Sequence, residues 1–132
     1  MEYVKTFREL EVYKLSRELA KNIFEISKKF PREEMYSLTD QIRRSSRSIG
    51  AQIAESWAKR KYEKHFVSKL TDADGEQLET QHWIEIALDC SYLSIEIASS
   101  LLSQYASVGR MLNSMIPRQS FFVIKADKPI TG

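Results

Sequence analysis

The sequence is poor in cysteine, glycine and proline, and each shortage narrows the possible folds. Cys90 is the only cysteine, so an internal disulfide is impossible, which is consistent with a cytoplasmic protein. Four glycines and three prolines in 132 residues offer few helix-breaking points, so we expect few and long elements. No apolar run approaches about eighteen residues and the first residues lack a secretory pattern, so we predict no membrane span and no signal peptide.

The remaining composition is typical of one globular domain. Apolar residues make up 42% and charged residues 29% of the chain, which argues against disorder. A chain of this length can bury a single core without disulfide or metal cross-links. We assign residues 1–117 to that domain and residues 118–132 to a C-terminal tail.

The net charge of +2 is unevenly distributed along the chain. Residues 31–64 sum to +3, whereas residues 65–93 sum to −5. One interpretation is that two neighbouring helices complement each other electrostatically. The other is a basic surface for phosphate, with the acidic segment facing elsewhere.

Four segments carry apolar residues at the three- and four-residue spacings typical of amphipathic helices. We expect helices at about residues 8–29, 38–60, 63–89 and 94–116. Short connections between them predict an all-α, antiparallel up-down four-helix bundle. The predicted core residues are Val12, Leu15, Leu19, Ile23, Ile26, Phe30, Leu38, Ile42, Ile49, Ile53, Trp57, Phe66, Leu70, Ala73, Ile84, Leu88, Ile97, Ala98, Leu101, Tyr105, Val108, Leu112 and Met115.

Several polar and small residues carry local predictions. Ser37, followed three residues later by Asp40, predicts the N-cap of the second helix. Gly50 inside that helix suggests close approach of another helix. A further polar set borders the apolar stripes, and it forms either a hydrogen-bonded layer between helices or a wet surface between subunits. Its members are Ser45, Ser46, Ser56, Gln52, Gln77 and Gln81.

The fourth helix carries more apolar surface than one core requires. Ile95, Leu102, Ala106 and Met111 widen its apolar arc, and we interpret the surplus as a subunit interface. Residues 121–124 form a short apolar run after Pro117. They could pack on the bundle, add a strand to a partner, or dock on another subunit, with packing on the same chain as the default.

Motifs for catalysis or metal binding are incomplete. Glu79 and His82 form one Glu-x-x-His unit of the kind found in di-iron bundles, which need two such units. The second unit is missing, because Tyr62 occupies the position three residues before His65 where a glutamate is required. The stretch from Asp72 to Gly75 lacks the first and last ligands of a calcium loop. We therefore predict no catalytic residue, no metal and no cofactor.

A basic cluster on the second helix is the strongest candidate site. Arginine side chains can grip phosphates with two N–H groups, and nearby aromatic rings such as Trp57 and Tyr62 can stack on unpaired bases. The alternative is a solvated face with internal salt bridges. The predicted phosphate-contacting residues are Arg43, Arg44, Arg47, Lys59, Arg60, Lys61 and Lys64.

A specific series of residues runs from the end of the first predicted helix into the third: Phe30, Pro31, Glu33, Glu34, Tyr36, Leu38, Thr39, Gln41, Ile42, Arg43, Arg44, Ser48, Ile49, Ile53, Ala54, Glu55, Phe66, Leu70, Gly75, Leu78, Glu79 and Thr80. With this series the chain resembles a bacterial four-helix-bundle family, the ribosomal RNA intervening-sequence proteins. The resemblance covers about residues 7–116, and it departs from the family pattern at Gly50, Gln52 and Ser56, where proline, asparagine and glycine are common. A family kink at this point is therefore not expected here.

The resemblance implies a homopentamer without enzymatic activity. It also implies structural similarity to the accessory variability determinant of diversity-generating retroelements, which binds a reverse transcriptase and its template RNA. We therefore expect a pentameric, RNA-associated bundle that contacts phosphates through the basic cluster. The alternative is a protein-interaction adaptor, such as the accessory subunit of a reverse transcriptase, that uses the barrel surface and residues 121–124.

Overall fold

Four α-helices dominate the computed structural model, which describes residues 4–122. Helix α1 spans Glu11–Ser27, α2 spans Leu38–Ala58, α3 spans Glu63–Asp89 and α4 spans Ile95–Met115. Short 3₁₀ segments at Phe7–Glu9, Arg32–Glu34 and Ile116–Phe121 precede α1, connect α1 to α2, and follow α4. No β-strand occurs within residues 4–122, and the predicted all-α fold is confirmed.

Each helix packs against the next one in the sequence, and α1 and α4 close the ring. The connections at residues 28–37, 59–62 and 90–94 are short, so consecutive neighbours must run in opposite directions. The fold is therefore the predicted four-helix bundle. The α2–α3 contact is the most extensive, and the α1–α4 contact is the thinnest of the four.

The predicted apolar stripes build the core. Most of the predicted residues are buried, whereas Leu15, Ile26, Trp57 and Leu88 are half-buried at its margin. Ile97 is the exception, because its side chain is 45% exposed. It borders a shallow groove where α1 and α4 pack loosely, so its assignment to the core was wrong.

Two predicted helix starts differ from the structure. Leu10 has an extended backbone conformation (φ −66°, ψ 128°), so α1 begins at Glu11 and not near residue 8. Ser37 does precede α2, but its side chain makes no capping bond to that helix. Its hydroxyl donates instead to the carboxylate of Glu34 at 2.7 Å, so the predicted capping interaction was wrong.

Part of the predicted polar layer joins the helices. The hydroxyl oxygens of Ser45 on α2 and Thr80 on α3 lie 2.9 Å apart, and both residues are fully buried. Gln77 donates to Asp74 at 2.8 Å and accepts a bond from Gln81 at 2.7 Å. All of these bonds satisfy buried polar groups, and the bond between Ser45 and Thr80, which joins two helices, favours one register of α3 against α2.

The glycines differ in what a side chain at their position would meet. A Cβ added at Gly50 would lie 3.5 Å from the Tyr13 ring of α1, an ordinary contact, so the predicted close approach is a moderate one. A Cβ added at Gly109 would lie 2.7 Å from Nε2 of Gln77. Gly109 on α4 therefore packs directly against the Gln77 side chain of α3, which would have to shift to admit a methyl group.

The chain after α4 folds back on the bundle. The Phe122 ring stacks on Phe66 with centroids 6.1 Å apart and meets the edge of Trp57 at 6.3 Å. This contact agrees with the default interpretation for that one residue of the apolar run. Val123 and Ile124 lie outside the described residues, and the boundary at residue 117 remains a prediction.

Candidate nucleic-acid interface

Arg43 and Arg47 lie one turn apart on the side of α2 that faces α1. Nε of Arg43 donates to the hydroxyl of Ser27 at 2.7 Å. The guanidinium carbons of Arg43 and Arg47 lie 4.8 Å and 5.3 Å from the centroid of the Phe24 ring. Both arginines are thus held against α1 by an aromatic ring, an arrangement that stabilises a guanidinium without neutralising its charge.

Lys28 adds a third cation to the same ring. Its ammonium lies 4.7 Å from the Phe24 centroid, while it also pairs with Glu25 at 3.2 Å. Three cations around one ring repel one another, and an anion bound between them would relieve that repulsion. We call Lys28, Arg43 and Arg47 with Phe24 the α1–α2 basic cluster.

The groove beside this cluster continues along the two helices. Arg17 and Arg47 line a cleft of about 170 Å³ together with Ser16 and Ser46. Its floor is open because Gly50 carries no side chain. Sequence reasoning missed Phe24, Lys28 and Arg17, since nothing in the periodicity of α1 shows which of its polar residues meet α2.

Arg44 points the other way. It pairs with the carboxylate of Glu76 at 3.4 Å and makes a closer pair with Glu79, both on α3. Arg44 therefore does not lie on the same face of α2 as Arg43 and Arg47, and the predicted basic cluster is divided at this residue. At this position the basic second helix and the acidic third helix complement each other, as the alternative interpretation expected.

The remaining predicted cations lie at the far end of α2. Lys59, Lys61 and Lys64 are exposed. Arg60 is half-buried, donates from Nε to the Trp57 carbonyl at 2.9 Å, and lies 4.1 Å above the Trp57 ring. Partial burial lowers the pKa of Arg60 from its ordinary value.

The aromatic residues at this end are already in contact with other groups. Arg60 and Phe122 cover Trp57, so that ring offers little free surface for a nucleobase. Tyr62 is 61% exposed and meets the His65 ring edge-on at 5.9 Å. This end therefore contributes mainly positive charge.

Carboxylate pairing separates the seven predicted residues into two groups. Arg44 has two acidic partners, whereas the other six make no ion pair with any carboxylate of residues 4–122. From Arg43 to Arg60 the helix rises about 25 Å. The structure thus brings together Arg43 and Arg47, places Lys59, Arg60, Lys61 and Lys64 at a second location, and separates Arg44 from both.

The incomplete metal motifs fall on α3. Glu79 contacts Arg44 and accepts a bond from the Trp83 indole at 3.4 Å. Asp74 of the calcium-loop fragment lies inside the same helix and bonds Gln77 and Asn113. No cluster of three potential metal ligands occurs in the described part of the chain.

Comparison with known proteins identifies the family. The sequence matches the family model of the 23S rRNA-intervening sequence protein over residues 8–114. The chain belongs to this family. The match includes all four helices almost completely. It also includes the α1–α2 basic cluster and the ion pairs that Arg44 makes with Glu76 and Glu79.

A solved relative has the same fold. It is the crystal structure of a protein of unknown function from the S23 ribosomal protein family of Bacteroides thetaiotaomicron. It is 29% identical in sequence with a TM-score of 0.71, and the alignment covers 80% of this chain and 95% of that chain. No curated protein matches the sequence. Neither the family description nor that of the relative names a catalytic activity.

Among residues 4–122, none of the helices combines the length and the apolar character needed to cross a membrane.

Proposed function

We propose that this member of the family is a non-enzymatic, RNA-associated bundle that holds RNA phosphates on its basic face. The observation that supports the proposal most strongly is the environment of Arg43 and Arg47. Both lie against the Phe24 ring, and neither has a carboxylate partner within residues 4–122. The family description, which refers to ribosomal RNA, supports RNA as the nucleic acid.

The chemistry of these two arginines suits a phosphodiester. A guanidinium that rests on a ring leaves its N–H edge free for two parallel bonds to phosphate oxygens. Arg43 donates only its Nε–H to Ser27, so its terminal N–H groups are available to donate to a phosphate. Arg44 is already satisfied by Glu76 and Glu79, and we exclude it from the phosphate-contacting set.

The lysine-rich end of α2 extends the proposed site. Lys59, Lys61 and Lys64 are exposed, and Arg60 keeps its charge against Trp57. Phosphate contacts of this kind release counterions and make affinity fall steeply with salt. A single strand that ran along α2 would meet both groups of cations.

The proposal is tested by charge removal on one helix with an internal control. We expect Arg43→Gln, which removes one charge, to weaken RNA binding and to reduce the slope of log K against log salt by up to about one. Arg44→Gln, which loses the same charge one residue away, should leave RNA affinity close to wild type. Fluorescence anisotropy with a labelled RNA between about 50 and 200 mM salt measures the affinity and its salt dependence for each variant. Equal losses in the two variants would show that net charge alone is responsible.

We also propose that the chain assembles as a homopentamer. Ile95 is 66% and Ile97 is 45% exposed on α4, and Ile97 borders the groove beside Ile26 of α1. These two large apolar side chains are exposed at the start of α4, and their burial against another subunit would remove that apolar surface from water. Ile97→Glu should dissociate the assembly in light scattering, whereas Leu78→Glu on the exposed side of α3 should not. A wild-type monomer would refute this part.

The alternative proposal is a protein-interaction adaptor, such as the accessory subunit of a retroelement reverse transcriptase. It depends on residues 121–124, of which Phe122 packs on Trp57 and Phe66. Deleting residues 118–132 should then abolish partner capture without changing the assembly. A cytoplasmic location remains part of both proposals.

A further inference from the structure

A further exposed aromatic residue, Tyr36, directly follows Met35, which lines a cleft together with Lys28 and Arg43 of the α1–α2 basic cluster. Tyr36, in the connection before α2, is 91% exposed, the highest value among the exposed large apolar and aromatic residues. Its ring makes no ring contact, and its hydroxyl makes no hydrogen bond, with any of residues 4–122. Both faces of this ring are therefore available, unlike those of Trp57.

The backbone around Tyr36 is fixed. Met35 N–H donates to the Arg32 carbonyl at 3.1 Å, and Ser37 N–H donates to the Glu34 carbonyl at 3.0 Å. The carboxylate of Glu34 accepts bonds from the hydroxyls of Ser37 and Tyr92, at 2.7 and 2.9 Å. The fixed turn holds the backbone of Tyr36 in place, so that binding a ligand to the ring has to order only the side chain.

A basic cleft lies next to this turn. Lys28, Arg32 and Arg43 line it together with Met35, the residue that precedes Tyr36. The cleft has a volume of about 80 Å³, room for only a few waters, so a nucleobase is too large for it. A phosphate group at its mouth would face three cations, of which Lys28 also pairs with Glu25 at 3.2 Å, and no carboxylate is among the residues described as lining the cleft.

We infer that Tyr36 stacks on an unpaired base whose neighbouring phosphate lies at the cleft of Lys28, Arg32 and Arg43, so that the ligand of the basic face is single-stranded RNA. The inference rests on the proposed function and specifies its substrate class. A base inside a duplex is stacked on both sides and cannot cover a protruding ring, whereas a splayed base can.

The test compares single-stranded and duplex RNA of the same sequence, each about 16 nucleotides long. We expect Tyr36→Ala to weaken single-strand binding about 5- to 150-fold, the range for loss of one base–aromatic stack. Tyr36→Phe should retain most of the affinity because the ring is kept. The salt dependence should not change in Tyr36→Ala, since no charge is lost.

The controls separate this inference from the proposed function. Leu78→Ala removes an exposed apolar side chain from α3 and should not change RNA binding. If wild-type protein binds RNA but Tyr36→Ala binds the single strand equally well, or loses duplex binding to the same extent, the inference is wrong and the proposed function stands. A changed oligomeric state of Tyr36→Ala would place the ring in a protein contact and would also refute it. If wild-type protein binds neither RNA at low salt, both proposals fail.

Discussion

Ser27 on α1 accepts a hydrogen bond from Nε of Arg43 on α2, at 2.7 Å, and so fixes the guanidinium over the Phe24 ring. The Ser27 hydroxyl itself donates to the Phe24 carbonyl at 3.0 Å, which sets the direction of its lone pairs. Ser27 is 2% exposed, so this bond is protected from competition by water. An uncharged residue of the core margin therefore positions a charged residue of the proposed RNA site.

Ser27→Ala should weaken RNA binding without removing a charge. The loss of one bond that positions a guanidinium should cost about 1 kcal/mol, or about fivefold in affinity. The salt dependence should stay close to wild type, because Arg43 keeps its charge. Ser68→Ala, at an exposed serine of α3, is the matched control in anisotropy titrations. Unchanged affinity of Ser27→Ala would mean that Arg43 needs no positioning.

Three helical glycines should respond differently to alanine. Nothing lies within 4 Å of a Cβ at Gly75, and a Cβ at Gly50 would make only ordinary contacts, at 3.5 and 3.6 Å. Gly75→Ala and Gly50→Ala should each raise the free energy of unfolding by up to about 1 kcal/mol, because alanine favours the helix. Urea unfolding measures the change. A loss of stability in Gly50→Ala would mean that α1 cannot tolerate the methyl group.

Gly109→Ala should change stability in the opposite direction. The new Cβ would lie 2.7 Å from Nε2 of Gln77 and 3.2 Å from a carboxylate oxygen of Asp74. Gln77 cannot move freely, because it is buried and bonded to Asp74 and Gln81. We expect the free energy of unfolding to fall by about 1–2 kcal/mol in the same urea series. A stability equal to that of Gly75→Ala would contradict the close approach.

The bundle could be predicted from the sequence because apolar spacing marks the helix faces that pack into a core. Ile42, Ile49 and Ile53 are 0% exposed, as their periodicity requires. The prediction that Ile97 belongs to the core was wrong because a period of 3.6 residues identifies an apolar helix face but does not show which neighbouring helix covers that face. The loose α1–α4 contact leaves that face open.

The site was less predictable for a geometric reason. Arg43 and Arg44 are adjacent in sequence, yet about 100° of helical rotation separates them, so one meets α1 and the other meets α3. Which cation is neutralised depends on the positions of Glu76 and Glu79, more than 30 residues away. Lys28 and Phe24 belong to the site only because α1 packs on that side of α2.

Tyr105→Phe should leave the fold intact and stabilise it. Tyr105 is fully buried, and its hydroxyl has no hydrogen-bond partner within residues 4–122. Burial raises the pKa of this hydroxyl. Removing an unsatisfied buried hydroxyl should raise the free energy of unfolding by about 1 kcal/mol. Urea unfolding at neutral pH would show the gain, and a loss of stability would reveal a partner for the hydroxyl.

The bond between Tyr92 and Glu34 should make stability depend on alkaline pH. The Tyr92 hydroxyl donates to the Glu34 carboxylate at 2.9 Å and ties the α3–α4 connection to the α1–α2 connection. Hydrogen bonding to Glu34 raises the pKa of Tyr92 to about 12. Hydrogen bonds from Ser37 and then Tyr92 lower the pKa of Glu34.

The two pKa shifts define the pH range in which this hydrogen bond stabilises the fold. The Tyr92 contribution is fully present below the unfolded pKa of about 10 and is lost as the pH rises toward about 12. The Glu34 contribution is present above its unfolded pKa and is lost as the pH falls through the lowered folded pKa. Tyr92→Phe should therefore be less stable than wild type by an amount that is constant from neutral pH to about pH 10 and shrinks above it.

Unfolding midpoints measured at several alkaline pH values test this, together with the tyrosinate absorbance of the folded protein. The absorbance difference between wild type and Tyr92→Phe should titrate near pH 12. Tyr36→Phe is the control for loss of a tyrosine hydroxyl, because the Tyr36 side chain is 91% exposed and makes no hydrogen bond within the described residues, and its stability at neutral pH should match that of the wild type. The hydrogen bond does not form in solution if the absorbance difference between wild type and Tyr92→Phe titrates near pH 10. The same conclusion follows if Tyr92→Phe remains less stable than wild type by the same amount above that pH.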